Sequence, residues 1–490
     1  MNRGRLVAAL ALALLPAGAL LHASEPARDA PNLPGGDTTV PANGRNAFSF
    51  PAANLGDAER TRFVIGNSFF RRNWVEAPAS TQARDGLGPH FIARSCGGCH
   101  DQDGRGAPPP IGADGRHGAP VSLLIRLSVP GVGEHGAPKP EPVYGDQLNN
   151  AAVQGVRPEG EIRIRERTRH GRFADGTPYT LRQPSYTLGR LGYGPLQRGT
   201  MTSPRVAPQL VGVGLLEAIP EAEILRNASE QAERAARTGS TVRGMPNRVW
   251  DAKARSTLVG RFGWKANVAT LAHQTGGAFV GDMGITSSLF PDEACTTTQA
   301  DCRAAPHGGR PSDAAKSADR SADPQPEIDD ATFADVVFYQ ATLAVPARRA
   351  IDDPAVQRGE ALFHRAGCAD CHRPSYVTGA SPNPETGSPA LARQTIWPYT
   401  DLLLHDMGEG LADGRPDYLA NGRQWKTPPL WGIGLIPEVN GHQRLLHDGR
   451  ARGVLEAVLW HGGEADASRK QVLRFSKAER EALVKFVESL

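Results

Sequence analysis

Residues 367–374 read GCADCHRP, and residues 96–100 read CGGCH. Two thiols two residues apart can each add to a vinyl group of one haem, and the histidine beside the second thiol is placed to ligate the iron. A redox dithiol does not need the trailing histidine. A structural zinc site would bring four ligands together, whereas these two pairs lie far apart in the chain. The sequence therefore predicts two covalently bound haems c. One is tethered by Cys96 and Cys99 with His100 as iron ligand, the other by Cys368 and Cys371 with His372.

The N-terminus supports export. Arg3 and Arg5 precede an apolar run over residues 6–21, and small residues follow that suit cleavage after Ala19 or Ala23. This is the pattern of a secretory signal peptide, read here as residues 1–23. No other stretch approaches the roughly 18 apolar residues of a membrane span, so the mature protein is expected without one. Haem c attachment needs thiols handled outside the cytosol, and the expected compartment is the periplasm. The remaining cysteines, Cys295 and Cys302 in CTTTQADC, can close a short disulfide loop in that compartment. The alternative is two free thiols. Lys and Arg number 55 against 52 Asp and Glu, a net charge of +3. That gives no basic excess of the kind that marks nucleic-acid binding.

Working outward, residues 24–56 are polar with Pro and Gly and read as a flexible arm. Residues 57–302 read as a first cytochrome c-like domain. Within it, residues 140–200 alternate apolar and charged side chains around an Asp-Gly turn, which predicts a β-hairpin or small sheet as an insertion. Residues 303–325 are of low complexity and read as a flexible linker. Residues 326–490 read as a second cytochrome c-like domain, with an Asp-Pro helix start before its haem motif and a closing amphipathic helix capped by Ser476. The fold class expected is mainly α, two such haem domains in tandem with much loop. An internal repeat agrees with duplication. RVAPQLVGVGLLEAI from Arg205 parallels KTPPLWGIGLIPEV from Lys426, and FGWKANVATLAHQ follows in the order of LHDGRARGVLEAV.

The blocks SCGGCHDQDGRG, GWKANVATLAHQTGGAFVGDMGITS, LLLHDMGEGLAD and LLHDGRARGVLEAVLWHGGEA together resemble the bacterial di-haem oxidoreductases, also labelled thiol oxidoreductases. These are related to the di-haem cytochrome c peroxidases and the methylamine dehydrogenase maturation enzyme. The resemblance implies reduction of hydrogen peroxide at the N-terminal haem, with electrons relayed through the C-terminal one from a small cytochrome, a copper protein or an oxidisable protein. It places Trp264 between the haems, and Gln274 in the distal pocket. The peroxidases use a glutamate as acid and base. Here the nearest acid is Asp282, with Met283 beside it as a rival that could close the first iron. For the second iron it implies His461 as sixth ligand, with Met407 or His405 as alternatives. It also implies a calcium ion, to which no ligand is assigned. Two other activities compatible with the same residues are electron transfer without peroxide chemistry and peroxide-dependent oxidation of a partner protein or thiol.

Overall fold

The computed structural model describes residues 32–112, 117–309, 325–380 and 387–490. The signal peptide, the first part of the arm and most of the 303–325 linker lie outside them.

Two pairs of helices organise the chain. Asp57–Arg71 packs on Asp330–Ala341, and Pro354–Arg365 packs on Lys477–Ser489. Local chemistry fixes their starts. Asp353 accepts from Ala355 N–H at 2.7 Å ahead of a proline in the first turn, and Ser476 and Glu479 cap one another reciprocally. Each pair crosses at a glycine. A methyl on Gly66 would overlap the Asp335 carbonyl oxygen, and one on Gly359 the Ala482 carbonyl oxygen. The close approach lets Tyr339 pack, tilted, between Phe63 and Phe70, with ring centroids at 4.7 and 5.2 Å, and Phe486 meet Phe363 at 5.2 Å.

The sequence repeat has a matching role in each half. Gly212 and Gly432 both take a left-handed conformation and open a short helical turn. Their N–H groups donate to Leu343 and Leu490 carbonyls, at 3.2 and 3.1 Å, just beyond the second helix of each pair. Residues 32–56, read above as an arm, run along this seam. Ala52 N–H donates to Thr342 O at 2.9 Å, Trp397 N–H to Pro34 O at 2.8 Å, and Phe48 is fully buried.

The expectation of a mainly α, cytochrome c-like architecture is not met. Helix accounts for 32% of the described residues and strand for 20%, the latter in many small antiparallel sheets. The hairpin of Glu161–Arg172 with Pro178–Gly189 lies inside the stretch read as β. The larger sheet centres on Leu123–Val132, paired in register from Leu123↔Val206 to Ser128↔Met201. Further ladders of four and three residues lie at Arg248–Asp251 with Ser256–Val259 and at Leu404–Asp406 with Gln424–Lys426. The physical reason is the spacing of Gly and Pro. They cut the chain into segments too short to propagate a helix, and such segments satisfy their backbone groups by pairing locally. The hairpin ties the halves together. Ala174 N–H donates to Leu473 O, Asp175 pairs with Arg480 at 2.9 Å, and Arg182 N–H donates to Glu456. No helix among the described residues is long and apolar enough to cross a membrane.

Candidate functional site

The two motif histidines are held alike. His100 Nδ1 lies 2.8 Å from the Pro208 carbonyl oxygen and His372 Nδ1 lies 2.8 Å from that of Tyr399. A carbonyl only accepts, so each Nδ1 carries the proton and each Nε2 keeps its lone pair for a metal. Burial disfavours the imidazolium of both rings and brings His372 down to about 4, so each ring stays neutral. Burial also pushes the Cys96 and Cys368 thiols up to about 12, the reverse of what a redox dithiol needs.

Beside the second motif lies an apolar cavity. Cys368, Cys371, His372, Trp264, Met407 and His461 all face it. His461 Nδ1–H donates to Ala457 O at 2.7 Å, so its Nε2 is also free for a metal. Its two rivals, Met407 and His405, also line the cavity, but His405 has both ring nitrogens engaged. They lie 2.8 Å from Asp401 and 2.7 Å from Glu464. Burial alone would lower the His405 pKa, but Asp401 and Cys371 together outweigh it and favour the imidazolium, which has no lone pair to give. A cavity of this polarity between two neutral imidazoles suits a haem.

The first motif faces different chemistry. Asp282 is half-buried, and its carboxylate accepts from Gln147 Nε2 at 2.9 Å. Burial raises its pKa, with Arg126 opposing, and its charge is felt at both Cys96 and Cys99. Met283 is packed into an apolar cluster with Trp74, Phe91 and Phe279. Gln274 is half-buried on the Leu271–Ala278 helix, one turn before Ala278, and is not the recorded partner of Asp282.

The halves can be placed in register here. Phe262 bridges Val268, and Leu445 bridges Ala451. Ala266 and Gly449 both have positive φ within these loops, and helices Leu271–Ala278 and Val454–Trp460 follow at the same interval. In this register Trp264 corresponds to His447, and Ala278 corresponds to His461. Trp264 Nε1–H donates to Val206 O at 2.8 Å, and Val206 N–H donates to His447 O at 2.7 Å. Trp264 faces the cavity of the second motif together with Pro208, the carbonyl partner of His100, so it stands between the two sites. The Arg105 guanidinium sits 5.0 Å over its ring, and His447 stacks on Trp425 at 3.8 Å.

Sequence reasoning did not find Gln147, Arg126 or Ala278. Gln147 sits on a two-residue strand that has no periodic signature. Ala278 matters only because of what the other half carries, and the repeat already quoted, extended a few residues, would have found it. The Sγ atoms of Cys295 and Cys302 lie at disulfide distance, 1.96 Å. Two groups of metal-ligand type occur among the described residues, Cys371 with Asp401 and His405, and Glu293 with His307 and Glu327. Neither is the all-oxygen set that calcium takes.

Compared with known proteins, the chain matches the model of the family described as "Di-haem oxidoreductase, putative peroxidase" over residues 30–189 and 193–490. No curated protein and no solved structure matches it.

Proposed function

We propose that this chain, which belongs to the di-haem oxidoreductase family, is an exported peroxidase that reduces hydrogen peroxide beside the first motif with electrons received beside the second. Cys96 and Cys99 would tether one haem with His100 as iron ligand. Cys368 and Cys371 would tether the other, held between His372 and His461. When bound, these haems supply the iron that takes up peroxide and stores electrons.

The observation that carries this reading is the alanine at position 278. Where the second half offers His461, the first half offers a methyl group, with a half-buried carboxyl four residues on. A small side chain leaves room for a ligand the size of peroxide. Asp282 supplies what O–O cleavage needs from the protein, a proton held by a carboxyl of raised pKa. Gln147 orients that carboxyl. Trp264 offers an aromatic step between the sites, and Arg105 and Val206 fix its plane.

The test is peroxide consumption by exported holoprotein with a small reductant, for wild type and Asp282→Asn. Turnover that drops in the variant while both haems stay bound supports the reading. Wild type that binds two haems yet leaves peroxide untouched in every redox state would make the chain an electron carrier instead.

A further inference from the structure

The outer face of the hairpin carries a row of arginines. Arg163, Arg165, Arg167 and Arg169 alternate along Glu161–Arg172, so their side chains share one face, and all four are exposed. Opposite the first three stand Thr187, Ser185 and Gln183, exposed and uncharged. The acid in this row is Glu161, which is shared between Arg163 at 3.6 Å and Arg190 at 3.0 Å. Glu166 points to the other face, where it meets Arg182. Charged side chains on a hairpin edge also discourage edge-to-edge pairing. That role does not require one sign, one strand and one face, and the whole chain has a net charge of only +3.

The row leads toward the second site. The Arg169 guanidinium lies 5.8 Å over the Trp460 ring, and Trp460 directly precedes His461. The same hairpin is fastened to the helix bearing them, with Arg182 N–H on Glu456 at 2.9 Å and Arg452 on the Thr180 carbonyl at 2.7 Å. A basic strip therefore ends against the side chain next to the proposed sixth ligand, about 20 Å from its far end at the usual rise of a strand.

We propose that this strip is the docking surface for a small acidic redox protein that delivers electrons to the C-terminal haem through the Trp460–His461 corner. The proposal rests on the di-haem peroxidase reading and adds the partner's charge and its place of contact. Complementary charge speeds and orients encounter rather than holding a tight complex, which suits a donor that must leave after each transfer.

The experiment uses full-length exported holoprotein, mixed rapidly with a pre-reduced acidic copper protein or a pre-reduced basic cytochrome c. The readout is reduction of the low-spin haem. Wild type should react faster with the acidic donor, and its rate should fall steeply between about 0.02 M and about 0.3 M salt as the Debye length shrinks. The R163E/R165E/R167E variant should lose at least about tenfold of that rate at low salt and most of its salt dependence. R163Q/R165Q/R167Q should lose less, and reduction by a small uncharged quinol should be unchanged in both. An unaltered rate with the acidic donor in the charge-reversed variant would overturn the proposal, as would a preference for the basic donor. So would loss of binding to anionic lipid vesicles with donor kinetics unchanged. Failure of the peroxidase reading shows separately, as absence of peroxide turnover with the quinol.

Discussion

The helix that ends beside His461 and the helix that ends at Ala278 hold corresponding places in the two halves, yet they equip their sites differently. Three features that mount the motif histidine are the same in both. Nδ1 is pinned to a backbone carbonyl, a phenylalanine of the preceding helix packs near the ring, and a glycine lets that helix meet its partner. The difference lies on the opposite side. One half presents an imidazole with a free Nε2, the other a methyl group with a half-buried carboxylic acid nearby. The two mounts are alike, and on the proposed reading a few side chains separate a closed electron site from an open reactive one.

Changing those side chains tests the comparison directly. The largest effect is expected from Asp282→Asn, which keeps the shape and removes the acid. Peroxide turnover should fall by about 10²–10⁴-fold, the usual worth of a positioned acid, with electron uptake at the second site unchanged. Ala278→His should make the first site resemble the second. It should convert a high-spin ferric signal to low-spin and abolish most peroxide reactivity. His461→Ala should do the reverse, removing the low-spin signal while covalent haem staining persists.

Smaller effects concern the shared scaffold. Gly359→Ala should destabilise the second half by about 1–3 kcal/mol, because the added methyl has no room against the Ala482 carbonyl. Denaturant unfolding followed at the second haem would read it. Glu159 gives a pH test. Burial pushes its carboxyl up to about 8, against an ordinary value of 4.5. Its folded pKa lies above its unfolded one, so its contribution is full below about 4.5 and is lost as pH rises toward 8. Glu159→Gln should flatten stability between those limits, as measured by thermal melts across the range.

How much of this was legible in the sequence depended on range. The two motifs, the cap at Ser476, the repeat around Gly212 and Gly432, and the hairpin near the Asp-Gly turn are local patterns, and each could be read from neighbouring residues. The small sheets could not. A two-residue strand such as Gln147–Leu148 has no period, and its partner Leu123–Val132 is assigned only when the chain closes. The packing of Asp330–Ala341 on Asp57–Arg71 joins residues on either side of the low-complexity segment. Trp264, Asp282 and His461 were singled out by resemblance, whereas the clamp on His405 by Asp401 and Glu464 is visible only in three dimensions.

The claim that one iron is closed and the other open can be tested by an electron paramagnetic resonance spectrum of the exported ferric protein, recorded before and after peroxide is added to the partly reduced form. The account predicts one low-spin signal of bis-histidine type and one high-spin signal, the latter changing on peroxide addition. Two low-spin signals in every redox state, both indifferent to peroxide, would contradict it.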